Sequence, residues 1–329
     1  MKNYTIFIIL ILLFIAPQVK AEKPTIVATA SMFSDMAKNI AGDKMNIELI
    51  VPVGGDPHLY KPTPKDAKMV VNADLILQNG LTFEGWLGEL IEHSGTKAST
   101  VLVTEGINPI KSLTYDAPDP HAWMDARNGL KYIENIKNGI VALDPANKDF
   151  YEKNYRAYRI EIQELDEYIQ QEIKKIPPAQ RILITSHDAF QYYGRRYGIQ
   201  LESVMGTSTD ADIQTQDVLH LIDVIKQSKV PAIFTETTVN PKQMEQIAKD
   251  NGVVVSGSLY ADSIGAPGTD GDSYIDMLKA NTDKIVAGLT RKASTETVTA
   301  PSGGFSWATI LIGLLLVGAM GFMFSKMNR

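Results

Sequence analysis

The amino-acid sequence predicts an α/β protein with two parallel-sheet lobes joined by one long rigid helix, followed by a C-terminal transmembrane helix. Three observations lead to this prediction. Short β-rich runs alternate with helical stretches in both halves of the chain, which is typical of parallel sheets built from βαβ units. One unbroken apolar stripe of helical period lies between the two halves. A run of about twenty uncharged residues comes near the end of the sequence.

The first 21 residues have the layout of a secretory signal peptide. Lys2 precedes an apolar run from Ile6 to Ala16, and Ala21 ends the segment with a small residue before a cut. The apolar run is too short to span a bilayer comfortably, which favours cleavage over the alternative of an uncleaved anchor. We therefore expect the chain to be exported.

Residues 22–146 form the predicted N-terminal lobe, and residues 178–291 form the predicted C-terminal lobe. The strands expected in the first lobe are Thr25–Ala28, Asn46–Val53, Asp74–Gln78 and Val101–Thr104, with helices near Met32–Ala41, Pro64–Val71 and Phe83–His93. The strands expected in the second lobe are Arg181–Thr185, Gln200–Val204, Ala232–Thr235 and Val253–Ser256, with helices near Ile213–Gln227 and Pro241–Asp250.

The linking helix is predicted over residues 147–177. Its apolar positions step by three or four residues, as Tyr151, Tyr155, Tyr158, Ile162, Leu165, Ile169, Ile173 and Ile176. Pro177 and Pro178 end the pattern. Such a stripe favours a stiff strut that packs on both lobes; the seam of a coiled-coil dimer is the competing interpretation.

The C-terminal segment predicts a membrane anchor. Residues 292–304 are rich in Ser, Thr, Ala and Gly and indicate a flexible tether. Residues 305–325 then carry no charge, and this segment is long enough to form a transmembrane helix. A buried core helix is the alternative interpretation. Lys326 and Arg329 follow the apolar run, so the positive-inside rule places the body at the outer face of the inner (cytoplasmic) membrane.

Composition excludes several classes of function. The chain has a formal charge of −6, and because its two terminal segments contribute four positive charges, residues 22–304 carry −10. An acidic body argues against nucleic acid as a partner and is compatible with collecting cations. The sequence has no cysteine, which excludes disulfides, thiolate metal sites and thiol catalysis. It also excludes the acylated cysteine of bacterial lipoproteins, a role that we expect the C-terminal helix to take.

Two of the five histidines lie in the same tripeptide, Asp-Pro-His, at His58 and His121. Asp-Pro sets a tight turn that aims the next side chain, although such turns are also common on surfaces. His58, His187 and Asp262 each follow the end of a predicted strand. Ligands of open α/β sheets bind at the carboxyl ends of the strands, so these side chains and His121 could meet in a cleft between the lobes.

Three imidazoles and one carboxylate give a divalent cation four protein ligands. This set suits Zn²⁺ and also Mn²⁺, and Fe²⁺ is left open as a third cargo. A site whose ligands all come from the protein has no open position for water. It is therefore built to hold a metal rather than to use it in catalysis.

Four motifs in this order and spacing resemble a known family: GGDPHLYKP, DPHAWMD, ITSHDAF and LYADSIG. They are similar to the metal-specific solute-binding proteins of bacterial zinc and manganese ABC transporters, the TroA-type receptors of cluster A-I. The resemblance implies two α/β lobes joined by one rigid helix and a metal buried between them. It also implies that His58, His121, His187 and Asp262 are the metal ligands.

The same resemblance implies import of Zn²⁺ or Mn²⁺ by a separate ABC permease and its ATPase, with a monomeric receptor and no enzyme activity. Two departures leave the metal open. Many zinc members carry a His-rich loop that is missing between Pro109 and Pro118, and many manganese members have glutamate where this chain has His187. A surface adhesin and, less favoured, a zinc hydrolase remain as alternative functions.

The other candidate residues have simpler interpretations. Glu236, at the end of a predicted strand, is a candidate for orienting a ligand histidine. His93 is interpreted as a surface residue and His220 as a packed helix residue. Ser186, His187 and Asp188 have the letters of a hydrolase triad, but adjacent side chains on a strand point apart.

Overall fold

The computed structural model describes residues 22–112, 116–210 and 213–291. The predicted signal peptide (1–21), tether (292–304) and transmembrane helix (305–325) lie outside these ranges. Between Glu22 and Asp144 the elements are β1 (Thr25–Ala28), α1 (Ser31–Ala41), β2 (Asn46–Leu49), α2 (Pro64–Val71), β3 (Leu75–Gln78), α3 (Leu87–Ser94), β4 (Ser99–Leu102), a 3₁₀ turn (Ala122–Met124) and α4 (Ala126–Leu143).

The second half begins with the longest described helix. Its elements are α5 (Lys148–Ile173), β5 (Ile182–Thr185), α6 (Gln191–Tyr197), β6 (Gln200–Ser203), α7 (Thr215–Ser228), β7 (Ala232–Glu236), α8 (Lys242–Asn251), β8 (Val254–Leu259) and α9 (Tyr274–Leu289). The alternation of strands and helices confirms the predicted α/β class, and the two halves correspond to the two lobes.

The first lobe contains a four-stranded parallel sheet in the order β2-β1-β3-β4. Strand β1 is central and almost fully buried, because its residues Ile26 and Val27 pack on opposite faces of the sheet in two separate apolar clusters. All four strands end at the same edge, so the loop after β2 that contains His58 starts from that edge. The parallel topology thereby places one candidate ligand at the boundary of the lobe.

The second lobe is built on two parallel ladders, β5-β6 and β7-β8. Strands β5 and β7 lie next to each other. The β7-β8 pairing shifts register between Ile233 and Thr235, and such a shift bends a strand and redirects the residues that follow it. His187, Glu236 and Asp262 all lie at or beyond the ends of these strands.

Helix α5 is amphipathic, and its buried face contacts both lobes. The buried residues of the stripe are Tyr151, Tyr158, Ile162, Leu165, Ile169 and Ile173. They pack in one apolar cluster with α1 and α4 of the first lobe and α9 of the second. At 1.5 Å per residue the helix is about 39 Å long. The predicted strut is therefore present, and its apolar face is covered by the chain itself rather than by a coiled-coil partner.

Helix α3 begins at Leu87, later than the sequence predicts. Gly80, Leu81 and Thr82 all have positive φ angles, of 73°, 53° and 68°. Three consecutive left-handed residues cannot belong to a right-handed helix, and the conformation is sterically unfavourable for Leu81 and Thr82. These residues exclude a helix that begins before Phe83, and Phe83 itself lies fully buried in the turn that follows, ahead of α3.

The C-terminal transmembrane helix is the part of the predicted fold class that needs correction. None of the helices in the described ranges is long and apolar enough to cross a membrane. The longest, α5, is excluded because charged residues occupy its solvent face. The supported fold class is a two-lobed α/β body, and the membrane attachment expected from that helix is dropped with it.

Close packing on α6 leads to a test of the second lobe. A Cβ atom on Gly194 would collide with Leu201 and lie 2.5 Å from the carbonyl oxygen of Ile199. We expect Gly194→Ala to destabilise the metal-free protein by about 1–3 kcal/mol because overpacking forces the backbone to move. Chemical denaturation measures this difference.

Gly88 provides the matched control, since it lies in α3 and a Cβ there meets no atom within 4 Å. Gly88→Ala should leave stability unchanged or raise it by up to about 1 kcal/mol, because alanine is the better helix former. Equal stability of the two variants would contradict the packing described for α6.

Candidate metal centre

The structure brings the four predicted ligands together at the boundary between the lobes. His58 and His121 come from the first lobe, and His187 and Asp262 come from the second. One ligand atom of each residue lies within 4.8 Å of the ligand atoms of the other three. No other group of three or more histidine or acidic side chains among the described residues has this geometry.

Both Asp-Pro-His segments form the same local turn. The backbone N–H of His58 donates to Oδ1 of Asp56 at 2.8 Å, and the N–H of His121 donates to Oδ1 of Asp119 at 2.9 Å. An aspartate that accepts from the residue two positions later closes an Asx turn. The tripeptide therefore serves to point each imidazole into the boundary between the lobes.

Three of the distances inside the cluster match those around a small cation, whereas Nε2 of His58 lies farther, 3.9 Å, from Oδ1 of Asp262. Nε2 of His58 lies 3.3 Å from Nε2 of His121, and Nε2 of His121 lies 3.3 Å from Oδ1 of Asp262. Nε2 of His187 lies 3.4 Å from Oδ2 of Asp262. Four ligands placed tetrahedrally at about 2.1 Å from a zinc ion are about 3.4 Å apart. The atoms are thus arranged to share one ion.

Burial makes the arrangement unfavourable without a cation. The side chains of His121, His187 and Asp262 are fully buried, and 4% of the His58 side chain is exposed. Nε2 of His187 and Oδ1 of Asp262 have no hydrogen-bond partner within the described part of the chain. Buried polar atoms without partners are costly, and a metal ion satisfies both at once.

Two of the three imidazoles are held from behind by a carboxylate. Oδ1 of Asp119 lies 2.8 Å from Nδ1 of His121. Oε2 of Glu236 contacts Nδ1 of His187, and Oε1 of Glu236 accepts from the His187 backbone N–H at 2.9 Å. A carboxylate on Nδ1 fixes the ring and leaves Nε2 to face a metal. Glu236 therefore lies where the sequence analysis expects it.

Asp119 is the functional residue that sequence reasoning missed. The sequence contained a clue to this role, because Asp119 lies two residues before His121 in the Asp-Pro-His motif. The motif, however, indicated only a turn. His58 has no such carboxylate behind it among the described residues; instead its ring meets the edge of Phe83, with centroids 5.0 Å apart. Trp123 packs on both Phe83 and His121, so aromatic side chains close this face of the cluster.

The protonation of the four groups differs strongly. Burial lowers the pKa of His58 to about 3, against the weaker opposite effect of Asp262. Burial also acts to lower the pKa of His121, but the charges of Asp119 and Asp262 raise it to about 9. In the same way, Glu236 and Asp262 outweigh burial and raise the pKa of His187 well above its ordinary value.

Asp262 is the charge that holds the cluster together. Burial alone would raise its pKa, but the neighbouring imidazoles, His187 first, hold it well below its usual value. Thr238 adds a hydrogen bond from Oγ1 to Oδ2 of Asp262 at 3.3 Å. Without metal, protons on two imidazoles compensate this carboxylate. A divalent ion held at this position would replace them as the positive charge.

The remaining histidines lie outside the cluster. The side chain of His93 is 72% exposed, as expected for a surface residue. The expectation that His220 is packed is wrong: its side chain is 66% exposed, with Nε2 at 3.2 Å from Glu202, because it lies on the solvent side of α7. Asp188 accepts a hydrogen bond from Gln191 and Oγ of Ser186 has no described partner, so these residues do not form a hydrolase triad.

Comparisons with known proteins agree with this geometry. The family described as "Zinc-uptake complex component A periplasmic" matches residues 26–288. The chain belongs to this family. It is 37% identical to the metal ABC transporter substrate-binding lipoprotein FimA of Streptococcus parasanguinis, over 82% of this chain and 90% of FimA. It is 36% identical to the manganese-binding lipoprotein MntA of Halalkalibacterium halodurans, over 81% and 88%.

Solved structures give the same result. The periplasmic zinc-binding protein TroA from Treponema pallidum matches with a TM-score of 0.78 and 33% identity, over 82% of this chain and all of TroA. A manganese-bound periplasmic metal-binding protein from Candidatus Liberibacter asiaticus matches with a TM-score of 0.75 and 32% identity, over 81% and 100%. These matches confirm the two-lobed fold expected from the motifs.

Membership of this family decides the class of function. The protein is the substrate-binding component of a metal ABC transporter, which captures a divalent metal and delivers it to the permease. It is not an enzyme, which removes the zinc hydrolase alternative. The adhesin alternative is not favoured, since the relatives are described as metal transport proteins.

The carboxylate behind His121 can be tested without any metal. We expect Asp119→Asn to lower the pKa of His121 from about 9 by about one unit or more, because the change removes a charge that favours the imidazolium. The imidazole resonances of the metal-free protein, followed by NMR through a pH titration, report this value. An unchanged titration of His121 would contradict the pairing.

Proposed function

We propose that His58, His121, His187 and Asp262 bind one Zn²⁺ or Mn²⁺ ion as cargo, which the protein hands to its permease. The observation that supports this most directly is the convergence of four ligand atoms within 4.8 Å at a buried boundary. Three neutral imidazole nitrogens and one carboxylate are a ligand set that both metals accept. The permease and the ATPase are separate chains in this proposal.

The donor set favours holding the ion over activating it. A catalytic zinc keeps one position open for water or substrate, whereas here four protein ligands fill a tetrahedral ion. The cluster is also closed to solvent, because only His58 among the four has any exposed side-chain surface. Both features suit a carrier that must retain the ion until it meets the permease.

Two observations bear on which metal is the cargo, and they favour different metals. Relatives such as MntA are described as manganese proteins, and TroA is described as a zinc-binding protein. At a nitrogen-rich site Zn²⁺ binds more tightly than Mn²⁺. We therefore expect purified protein to prefer Zn²⁺, and metal content after purification from the native host identifies the transported ion.

The remaining features of the proposal concern location and organisation. The N-terminal residues 1–21 act as a signal peptide, so the body works outside the cytoplasmic membrane, in line with relatives that are described as lipoproteins or periplasmic proteins. The body is divided into an N-terminal lobe (22–146), a linking helix (147–177) and a C-terminal lobe (178–291). It acts as a monomer, which leaves the boundary between its own lobes as the whole binding site.

Removing two ligands should abolish binding. We expect a variant with both His58→Ala and His121→Ala to lose its ion, because only two protein ligands remain and neither can replace the lost nitrogens. Elemental analysis and titration calorimetry measure the stoichiometry. The matched control is His220→Ala, which removes an exposed imidazole outside the cluster and should still bind one ion. A stoichiometry near one in the double variant would contradict the site.

Glu236→Gln refines the same experiment, because Glu236 is proposed to orient His187 rather than to bind the ion. The glutamine loses the charge and keeps a single acceptor oxygen, so it can accept from Nδ1 of His187 or from the His187 backbone N–H but not from both. This variant should still bind one ion, with an affinity about 10–100-fold weaker. Wild-type affinity, or complete loss of binding in a folded variant, would contradict this orienting role.

Metal binding should depend on pH, over a range set by the pKa values of His121 and His187. His121 and His187 carry protons in the metal-free protein at neutral pH, since the pKa of His121 is about 9 and that of His187 is raised well above its usual value. A metal must displace both protons from Nε2, so binding is stronger at higher pH. We expect about two protons released per ion, and an affinity that falls by up to about a hundredfold for each lower pH unit.

Calorimetry in buffers with different ionisation enthalpies counts the released protons directly. His58, whose pKa is lowered to about 3, should contribute none in this range. Binding heats that do not depend on the buffer, together with an affinity that stays constant between about pH 6 and pH 8, would contradict the protonation of His121 and His187.

A further inference from the structure

A cavity of about 360 Å³ lies beside the metal cluster, outside the four ligands. Its lining combines buried residues with exposed ones, so that it reaches from the protein surface into the interior. The inner wall includes Asp56, Ser186 and Thr238, and the outer rim includes Leu59, Asn240 and Lys242. Leu59 is 51% exposed, whereas Ser186 is 1% exposed. We call this space the side chamber.

The inner wall of the side chamber is joined to the ligands by two hydrogen bonds and by one position adjacent in sequence. Asp56 accepts a hydrogen bond from the backbone N–H of His58. Ser186 is the residue before His187 in the chain. Thr238 donates to Oδ2 of Asp262 at 3.3 Å. None of the four ligands lines the side chamber itself, but residues that contact or adjoin ligands of both lobes do.

A buried polar atom on this wall has no explanation within the described part of the protein. Oγ of Ser186 is buried and has no hydrogen-bond partner in the described ranges. A buried hydroxyl of this kind is uncommon and marks a place where water or an ion is expected. Ser186 also lines the side chamber, although its Oγ itself is shielded from solvent, so this hydroxyl lies behind the chamber wall.

We propose that the side chamber is the route by which the metal ion reaches and leaves the cluster. This inference rests on the proposed function of the four ligands. The volume of about 360 Å³ is sufficient, because six waters at about 30 Å³ each occupy about 180 Å³, roughly half of the space. A hydrated divalent cation therefore fits in the side chamber before it exchanges water for imidazole.

The donors along this route suit such an ion. Asp56 provides a carboxylate, and Thr209 and Thr238 provide hydroxyl oxygens. Oxygen atoms are the ligands that most readily replace water around a hard divalent cation. Lys242 is the cationic side chain on the rim, but it is exposed, and its flexible stem lets the ammonium group stay in solvent.

A hydrogen bond between the lobes closes one side of the route. Oγ1 of Thr209, from the second lobe, donates to Oδ2 of Asp56, from the first, at 2.6 Å. The same carboxylate holds the turn of His58 through its other oxygen. Contact of an ion with Asp56 therefore acts on both the closure between the lobes and the position of the nearest ligand.

Blocking the side chamber tests the proposal. Val239 and Gln243 both line it, and neither is one of the four ligands or contacts one through a described hydrogen bond. In Val239→Trp and in Gln243→Trp, the larger side chain narrows the route without changing either end state. We expect association and release of Zn²⁺ each to slow by about tenfold or more, with Kd within about threefold of the wild-type value, because Kd is the ratio of the two rates.

The rates are measured by stopped flow with a chromogenic zinc indicator for association and excess chelator for release. Leu219→Trp is the matched control, since Leu219 is 58% exposed on α7 and does not line the side chamber. It should exchange zinc at the wild-type rate. Wild-type rates in both blocked variants would overturn the proposal.

The two proposals fail in different ways. If wild-type protein binds no ion, the proposed function fails and no exchange rate is defined. If all variants bind one ion but the blocked variants change only the release rate, the substitutions act on the ligands and the route is refuted. A fall in both rates by the same factor, at unchanged stoichiometry, supports the side chamber as the route. Two blocking positions are used so that, if one variant fails to fold, the other still tests the proposal.

Discussion

The rest of the structure depends on one constraint: three imidazoles and the carboxylate of Asp262 are buried together, away from solvent. An isolated charge in a protein interior is so costly that it shifts its protonation or acquires a partner. Here Asp262 stays ionised because His121 and His187 surround it as cations, and those imidazoles are themselves compensated by Asp119 and Glu236. In the metal-free cluster the protons on these two imidazoles supply the positive charge beside Asp262, and a divalent ion bound as proposed would take over that charge.

Such a network needs a frame that does not let water in. The lobes share a single apolar cluster that includes α5, so they are packed against each other rather than connected only by a hinge. Hydrogen bonds join them beside the ligands as well, from Trp123 to the carbonyl of Ala261 and between the hydroxyls of Ser31 and Ser263. A wide opening of the whole body would break the shared core. Local access beside the cluster avoids that cost.

The sequence predicts the cluster better than its surroundings, and the two Asp-Pro-His segments explain why. The tripeptide determines the turn, because proline fixes φ and aspartate closes the turn onto the histidine N–H, and these are local effects. The further contacts of the two aspartates are not set by the tripeptide. Asp119 also reaches Nδ1 of its own histidine, whereas Asp56 bonds to Thr209 in the other lobe. Identical residues therefore have different roles, which only the tertiary structure reveals.

The other differences between the predicted and the observed structure also have physical causes. The apolar stripe of α5 is predictable because its period depends only on helix geometry, but the start of α3 is not, since three left-handed residues after β3 interrupt the pattern. His220 has apolar neighbours in sequence, yet it occupies the exposed side of its helix. Hydrophobic neighbours along the chain do not determine which face a helix buries. The C-terminal apolar run predicts a spanning helix from composition alone, and that part of the fold class is corrected.

The three imidazoles are not equivalent, and this asymmetry connects the cluster with the side chamber. His121 and His187 each have a carboxylate on Nδ1, which restrains the ring and keeps Nε2 basic. His58 has an aromatic edge instead, retains slight exposure, and stays neutral because burial lowers its pKa. It requires no proton loss to bind an ion and is the least restrained of the three. Because His58 is also the imidazole whose turn is held by Asp56 on the chamber wall, the imidazole that lacks a carboxylate on Nδ1 lies next to the proposed route.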